Sequence, residues 1–166
     1  MIYTEIRCNL FEYVANNKLN TVVAHCISRD IAMGAGIAKQ FTDMGIKNAL
    51  IQYASINNMD STRCVKVIGN MYNTPLYMTP VFNLITKEAY FHKPTYTTLR
   101  DALLEMKNSI VYNNMYYNNF DPSRVIKSLV MPKIGCGLDR LDWNTVSNMI
   151  KEIFSDIDIK VIICYI

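Results

Sequence analysis

Apolar residues follow two rhythms along this chain. Residues 21–27 and 159–165 are almost continuously apolar, and 125–131 has an apolar end, the pattern of strands covered on both faces. Residues 2–7 alternate loosely and read as a further strand. Residues 64–68 and 78–85 read as two more, separated by a turn at 72–75. Between these runs the spacing changes to that of helices. Residues 36–44 and 46–55 read as two helices. A third opens at Pro94-Thr95, with Thr95 as cap and Leu99, Ala102, Leu103, Met106 and Ile110 on one face. A last helix is capped by Asp142 and turns Trp143, Val146, Met149, Ile150, Ile153 and Phe154 to one side. Residues 113–122, rich in Tyr and Asn, read as a polar loop. Strands that alternate with helices, and that are apolar throughout, predict an α/β fold. Its sheet is mostly parallel or mixed, with helices on both faces. In such folds ligands bind beyond the carboxyl ends of the strands.

Two strands lead into glycine-bearing loops at that end. The run at 21–27 is followed by Met33-Gly34-Ala35-Gly36-Ile37-Ala38. The run at 125–131 is followed by Pro132-Lys133-Ile134-Gly135-Cys136-Gly137-Leu138-Asp139-Arg140. Glycine lets backbone N–H groups approach an anion, and a helix starting there adds the positive end of its dipole. Each loop alone reads equally well as a tight turn. Together they suit the two phosphates of a nucleotide-like ligand. Neither is the dinucleotide fingerprint or the phosphate loop that ends in Gly-Lys-Ser/Thr.

The 166 residues fit one domain spanning 1–166. At 51% hydrophobic and 19% charged, the chain has material for a substantial core. Its net charge of +3 is scattered, with no basic run to mark a nucleic-acid stripe. Five cysteines without a Cys-x-x-Cys, and two distant histidines, argue against a disulfide framework and a zinc site. Reduced thiols in apolar runs suit an intracellular protein, cytoplasmic or nuclear. No stretch approaches the roughly 20 apolar residues of a membrane span, and no signal peptide opens the chain.

Few residues suit chemistry. Lys87 directly follows the apolar run at 82–85. It is either a solvated surface lysine or an amine held near apolar walls, able to act as a nucleophile. Asp139 follows the second glycine loop and is either a turn residue or a carboxylate that moves a proton. Ser28 and Asp30 read most simply as turn residues, and His25 as a satisfied core histidine. Cys136 has no acidic or imidazole neighbour in sequence and reads as a small residue filling a tight loop.

Five motifs in order carry a resemblance. His25-Cys26-Ile27-Ser28, the segment from Met33 to Ala38, Leu84-Ile85-Thr86-Lys87, His92-Lys93-Pro94-Thr95-Tyr96, and the segment from Met131 to Arg140 closely resemble macrodomains of the terminal ADP-ribose protein glycohydrolase type. The resemblance implies a three-layer α/β/α macrodomain with a mixed, mostly parallel central sheet and ADP-ribose across the strand ends. It also implies hydrolysis of ADP-ribose from carboxylate-linked adducts on proteins or from O-acyl-ADP-ribose. Related members act on ADP-ribosylated thymidine in DNA. By position, Lys87 matches the lysine that attacks the anomeric carbon and Asp139 the aspartate that assists departure and resolution. Ser28 matches a residue lining the distal ribose. Gly34, Ala35, Gly36, Ile37 and Ala38, with Ile134, Gly135, Cys136, Gly137 and Leu138, match the two diphosphate loops. Asn9 and Leu10 fall where the family meets adenine, with Asn9 in place of a common aspartate. The resemblance implies no cofactor and no metal, a monomer, and ADP-ribosylated protein or nucleic acid as the macromolecular substrate, with no membrane partner.

The region from 55 to 80 matches the family poorly, and the segment at 113–122 is longer than in its glycohydrolases. An ADP-ribose 1″-phosphate phosphatase shares the glycine loops but lacks the lysine. A non-enzymatic ADP-ribose reader needs neither Lys87 nor Asp139.

Overall fold

The computed structural model describes residues 1–166. Six strands form one sheet in the order β1-β6-β5-β2-β4-β3. They are β1 (Ile2–Arg7), β2 (Thr21–Ser28), β3 (Cys64–Ile68), β4 (Pro80–Lys87), β5 (Ser128–Met131) and β6 (Lys160–Tyr165). Only β3 runs antiparallel, against β4; every other neighbouring pair is parallel.

Five helices cover the sheet: α1 (Leu10–Asn16), α2 (Gly36–Asp43), α3 (Ile46–Ile56), α4 (Tyr96–Tyr117) and α5 (Trp143–Phe154). Strand alternation sorts the core into two faces. Val22, Ala24, Phe82 and Leu84 pack with Leu99, Leu103 and Met106 of α4 and Val146 and Ile150 of α5. Val23, Val81 and Ile85 pack with Phe11 and Val14 of α1, Phe41 of α2 and Leu50 of α3. The layers are therefore helix, sheet and helix, the expected macrodomain architecture. No helix is long and apolar enough to cross a membrane.

The structure departs from the sequence reading at four points. The hydrophobic pattern gives no sign of helix α1; Asn9 starts it by accepting hydrogen bonds from the N–H groups of Phe11 and Glu12. The expected loop at 113–122 is largely helix, because α4 runs on to Tyr117 and a short 3-10 turn occupies Pro122–Arg124. Asn and Tyr favour helix weakly, but tertiary bonds hold this end. The Asn114 amide donates to the Ile126 carbonyl at 2.9 Å and accepts from the Ile126 N–H at 2.8 Å, while Asn113 donates to the Arg124 carbonyl at 2.9 Å. Finally, β5 starts at Ser128 rather than at 125, and β4 extends to Lys87.

A buried polar pair crosses the centre of the sheet. His25 Nε2 lies 2.6 Å from Asn83 Oδ1, and the imidazole stacks on Phe41 at 3.8 Å. The Asn83 amide nitrogen donates to the Val65 and Val81 carbonyls, so its oxygen must accept and His25 Nε2 carries the proton. Nδ1 has no partner. Burial pushes the imidazole down to about 4, against the bond to Asn83, which favours the charged form. A depressed folded-state value means that stability is complete above the unfolded value near 6.5. It is lost as pH falls toward 4, by about 3 kcal/mol. Urea midpoints measured across this interval for wild type and His25→Gln should show the wild type losing the larger share. Parallel losses would remove the role assigned to His25.

Candidate active site

The carboxyl ends of β2, β4 and β5 lie side by side and open into a cleft of about 840 Å³. A β-bulge shapes its floor. Ile27 pairs with Ile85, but Ser28 pairs with Lys87, so Thr86 is skipped. Bulges re-aim side chains at strand ends, and this one sets Ser28 and Lys87 beside each other in the wall of the cleft. The Arg29 N–H donates to the Lys87 carbonyl at 2.9 Å and continues the pairing one residue further.

The first glycine loop is held in an unusual backbone conformation. Ile31 and Met33 have φ of 56° and 47°, a region costly for a branched side chain such as Ile31. Both side chains are buried, so packing holds the turn. Lys47 donates to the Ala32 carbonyl at 2.9 Å, and Thr42 to the Met33 carbonyl at 3.0 Å. Gly36, with φ of 59°, then begins α2, and Ala35 offers no side-chain cap. The first N–H groups of α2 thus stand uncapped at the cleft, as anion-binding helix starts do.

The second loop turns at Gly135, with φ of 70°. A side-chain carbon there would come within 3.0 Å of Leu141 Cδ1. The Leu141 N–H closes the turn on the Gly135 carbonyl at 2.8 Å. Lys93 donates to the Leu138 carbonyl at 3.0 Å and fastens this loop to the segment after β4.

Between the loops, Lys87 Nζ donates to Asp139 Oδ1 at 2.8 Å. The two side chains are 15% and 17% exposed, so the ion pair is shielded while still reaching the cleft. It places an amine and a carboxylate side by side in the cleft wall. No group of three or more His, Cys, Asp or Glu side chains is placed to hold a metal ion. Two thiols stand close by. Burial pushes Cys26 up to about 12 and Cys136 up to about 11, so neither is a thiolate near neutral pH.

No family model matches the chain. Human ADP-ribose glycohydrolase OARD1 is 38% identical over 141 residues, covering 84% of this chain and 78% of the relative. The chain belongs to the macrodomain ADP-ribose glycohydrolases. The fold is shared more widely. The macrodomain of Thermus aquaticus DarG superposes with a TM-score of 0.73 at 18% identity, covering 99% of this chain and 98% of that one. Thermosipho africanus DarTG, solved in complex with ADP-ribose, gives 0.67 at 19% identity over 100% of this chain and 42% of its own.

This macrodomain gathers most of the residues singled out from sequence. Lys87, Asp139, Ser28, Gly34, Ala35, Gly36, Ile37, Ala38, Ile134, Gly135, Gly137 and Leu138 all line the cleft. Three others do not. The Asn9 side-chain oxygen is engaged in capping α1, Leu10 is buried in the core, and Cys136 packs against the core with its thiol toward the Ile134 carbonyl. Tyr90, Lys93 and Lys133 also line the cleft, and the sequence reading does not single them out for it. Lys93 and Lys133 lie within the quoted motifs; their charge next to the glycine loops is the available signal. Lys133 Nζ sits 4.5 Å from the centre of the Tyr165 ring and 5.7 Å from that of Trp143. Cation–π attraction steadies it at the wall.

Proposed function

We propose that this glycohydrolase releases ADP-ribose from carboxylate-linked adducts, on proteins or as O-acyl-ADP-ribose, through Lys87 and Asp139. The observation that carries this reading is the 2.8 Å Lys87–Asp139 pair between the two glycine loops. A reader needs only the loops, and a phosphatase has no use for an amine there. In the reaction the Lys87 ammonium passes its proton to Asp139. The freed amine attacks the anomeric carbon of the distal ribose and the carbon–oxygen bond to the acyl group breaks. The departing carboxylate takes the proton from Asp139. Asp139 then removes a proton from water as that water attacks the same carbon and displaces Lys87. An amine and a carboxylate on one oxocarbenium-like centre follow the logic of other glycoside hydrolases. Incubation with an O-acyl-ADP-ribose and with ADP-ribosylated thymidine DNA, followed by chromatography, tests both substrate classes. Release of ADP-ribose from the ester is the expected result, and no release from the ester, whatever happens to the DNA, overturns the reading.

The diphosphate is assigned to the two loops. Free ADP-ribose is expected to bind in the micromolar range, about 8 kcal/mol. Gly36→Val demands a left-handed backbone of a branched residue and brings a side-chain carbon 3.3 Å from Leu138 Cδ1. It should weaken affinity at least about tenfold. A side-chain carbon at Gly137 meets nothing beyond its chain neighbours within 4 Å, so Gly137→Ala probes the space left to the ligand. Calorimetry with unchanged affinity for a folded Gly36→Val protein would take the first loop out of the site.

A further inference from the structure

A second carboxylate stands behind the reacting pair. Asp30, just past the end of β2, accepts from the Ser28 hydroxyl at 2.5 Å and from the Ala32 N–H at 3.1 Å with one oxygen. Its other oxygen accepts from the Tyr90 N–H at 3.0 Å. Burial pushes the Asp30 carboxyl up, but the bonds from Ser28, Tyr90 and Ala32 and the charge of Lys87 outweigh it, and the group stays below the usual carboxylate range. A permanent acceptor therefore faces Ser28.

A serine hydroxyl carries one proton and two lone pairs. In Ser28 the proton is spent on Asp30. The residue is 5% exposed, but it lines the cleft and pairs across the bulge with Lys87. What Ser28 offers the cleft is thus an oxygen that can only accept. A sugar hydroxyl is a donor that fits it. We propose that Asp30 is a positioning residue that fixes the Ser28 hydroxyl as an acceptor for a hydroxyl of the distal ribose, orienting the anomeric carbon toward Lys87. This rests on the lysine-dependent reading above. Without Asp30 the Ser28 proton turns freely, and the oxygen no longer presents one fixed lone pair to the sugar.

Asp30→Ala and Ser28→Ala should each lower kcat/KM for ester-linked ADP-ribose by a similar factor, about 10- to 100-fold. Because Asp30 acts through Ser28, the double variant should lose no more than either single one. Asp30→Asn separates the two arms of the carboxylate. Its amide oxygen still accepts from Ser28, while its NH₂ group faces the Tyr90 N–H. It should recover most of the rate lost in Asp30→Ala, even where its melting temperature falls. Losses that multiply in the double variant, or an Asp30→Asn protein as slow as Asp30→Ala, overturn the proposal and leave Asp30 as a loop tie to Tyr90. Wild-type protein in the same assay keeps the two readings apart. An inactive wild type overturns the hydrolase reading, whereas an active wild type with a normal Asp30→Ala overturns only the role of Asp30.

Discussion

Lys87→Arg is expected to keep ADP-ribose binding and to lose at least about 10³-fold in release of ADP-ribose from ester-linked substrate. Arginine preserves the positive charge and can pair with Asp139 as the lysine does at 2.8 Å. What it lacks is a neutral form. A guanidinium stays protonated in proteins, so it has no lone pair to attack a carbon. The variant thus separates charge from nucleophilicity at one position. Calorimetry with free ADP-ribose and chromatographic assay of its release are the two measurements required. A Lys87→Arg protein that hydrolyses the ester at the wild-type rate overturns the lysine mechanism in favour of attack by water.

Asp139→Ala should be impaired by about 10²- to 10⁴-fold, again with most of the affinity for ADP-ribose retained. The carboxylate acts on protons that move only as bonds form and break, so its loss falls on the transition state rather than on ground-state binding. It also has no substitute nearby. The Asp30 carboxylate is committed to Ser28, Ala32 and Tyr90. Resolution of the lysine adduct should then become the slow step. Intact-protein mass spectrometry on the stalled variant is expected to show one added ADP-ribosyl group, mapped to Lys87 by its peptides. Rapid turnover by Asp139→Ala would return this residue to the status of a turn carboxylate.

The placement of both at one end of the sheet is legible in sequence, because Lys87 closes the apolar run of β4 and Asp139 follows a glycine loop. Runs such as 21–27 were readable for the same reason: a strand buried on both faces has to be apolar throughout. What escaped notice depends on contacts distant in sequence. The last turns of α4 look like a loop until Asn114 meets Ile126. Asn9 caps a helix, α1, that the hydrophobic pattern does not mark. Asp30 is the turn residue that the sequence suggests, accepting from the Ala32 N–H, but its bond to Tyr90 sixty positions away has no local signal. The bulge that brings Ser28 opposite Lys87 leaves no trace in the hydrophobic pattern, since Thr86 reads like any other strand residue.

The His25–Asn83 pair bears on how β2 and β4 find each other during folding. Both strands are apolar enough that sliding one past the other by two residues would still bury hydrophobic side chains on the same faces. Such a slip would part the imidazole from the amide and leave two polar groups unmatched inside the sheet, which is costly. The pair is itself in register, His25 opposite Asn83, three residues upstream of Ser28 and four upstream of Lys87. It thus acts as an alignment key. Misaligned chains are disfavoured well before the cleft exists, and the spacing between Lys87 and Ser28 is inherited from a contact in the middle of the sheet. His25→Leu would therefore be expected to produce, besides any change in stability, a slow-folding population in which the strands are paired but the reacting groups are not.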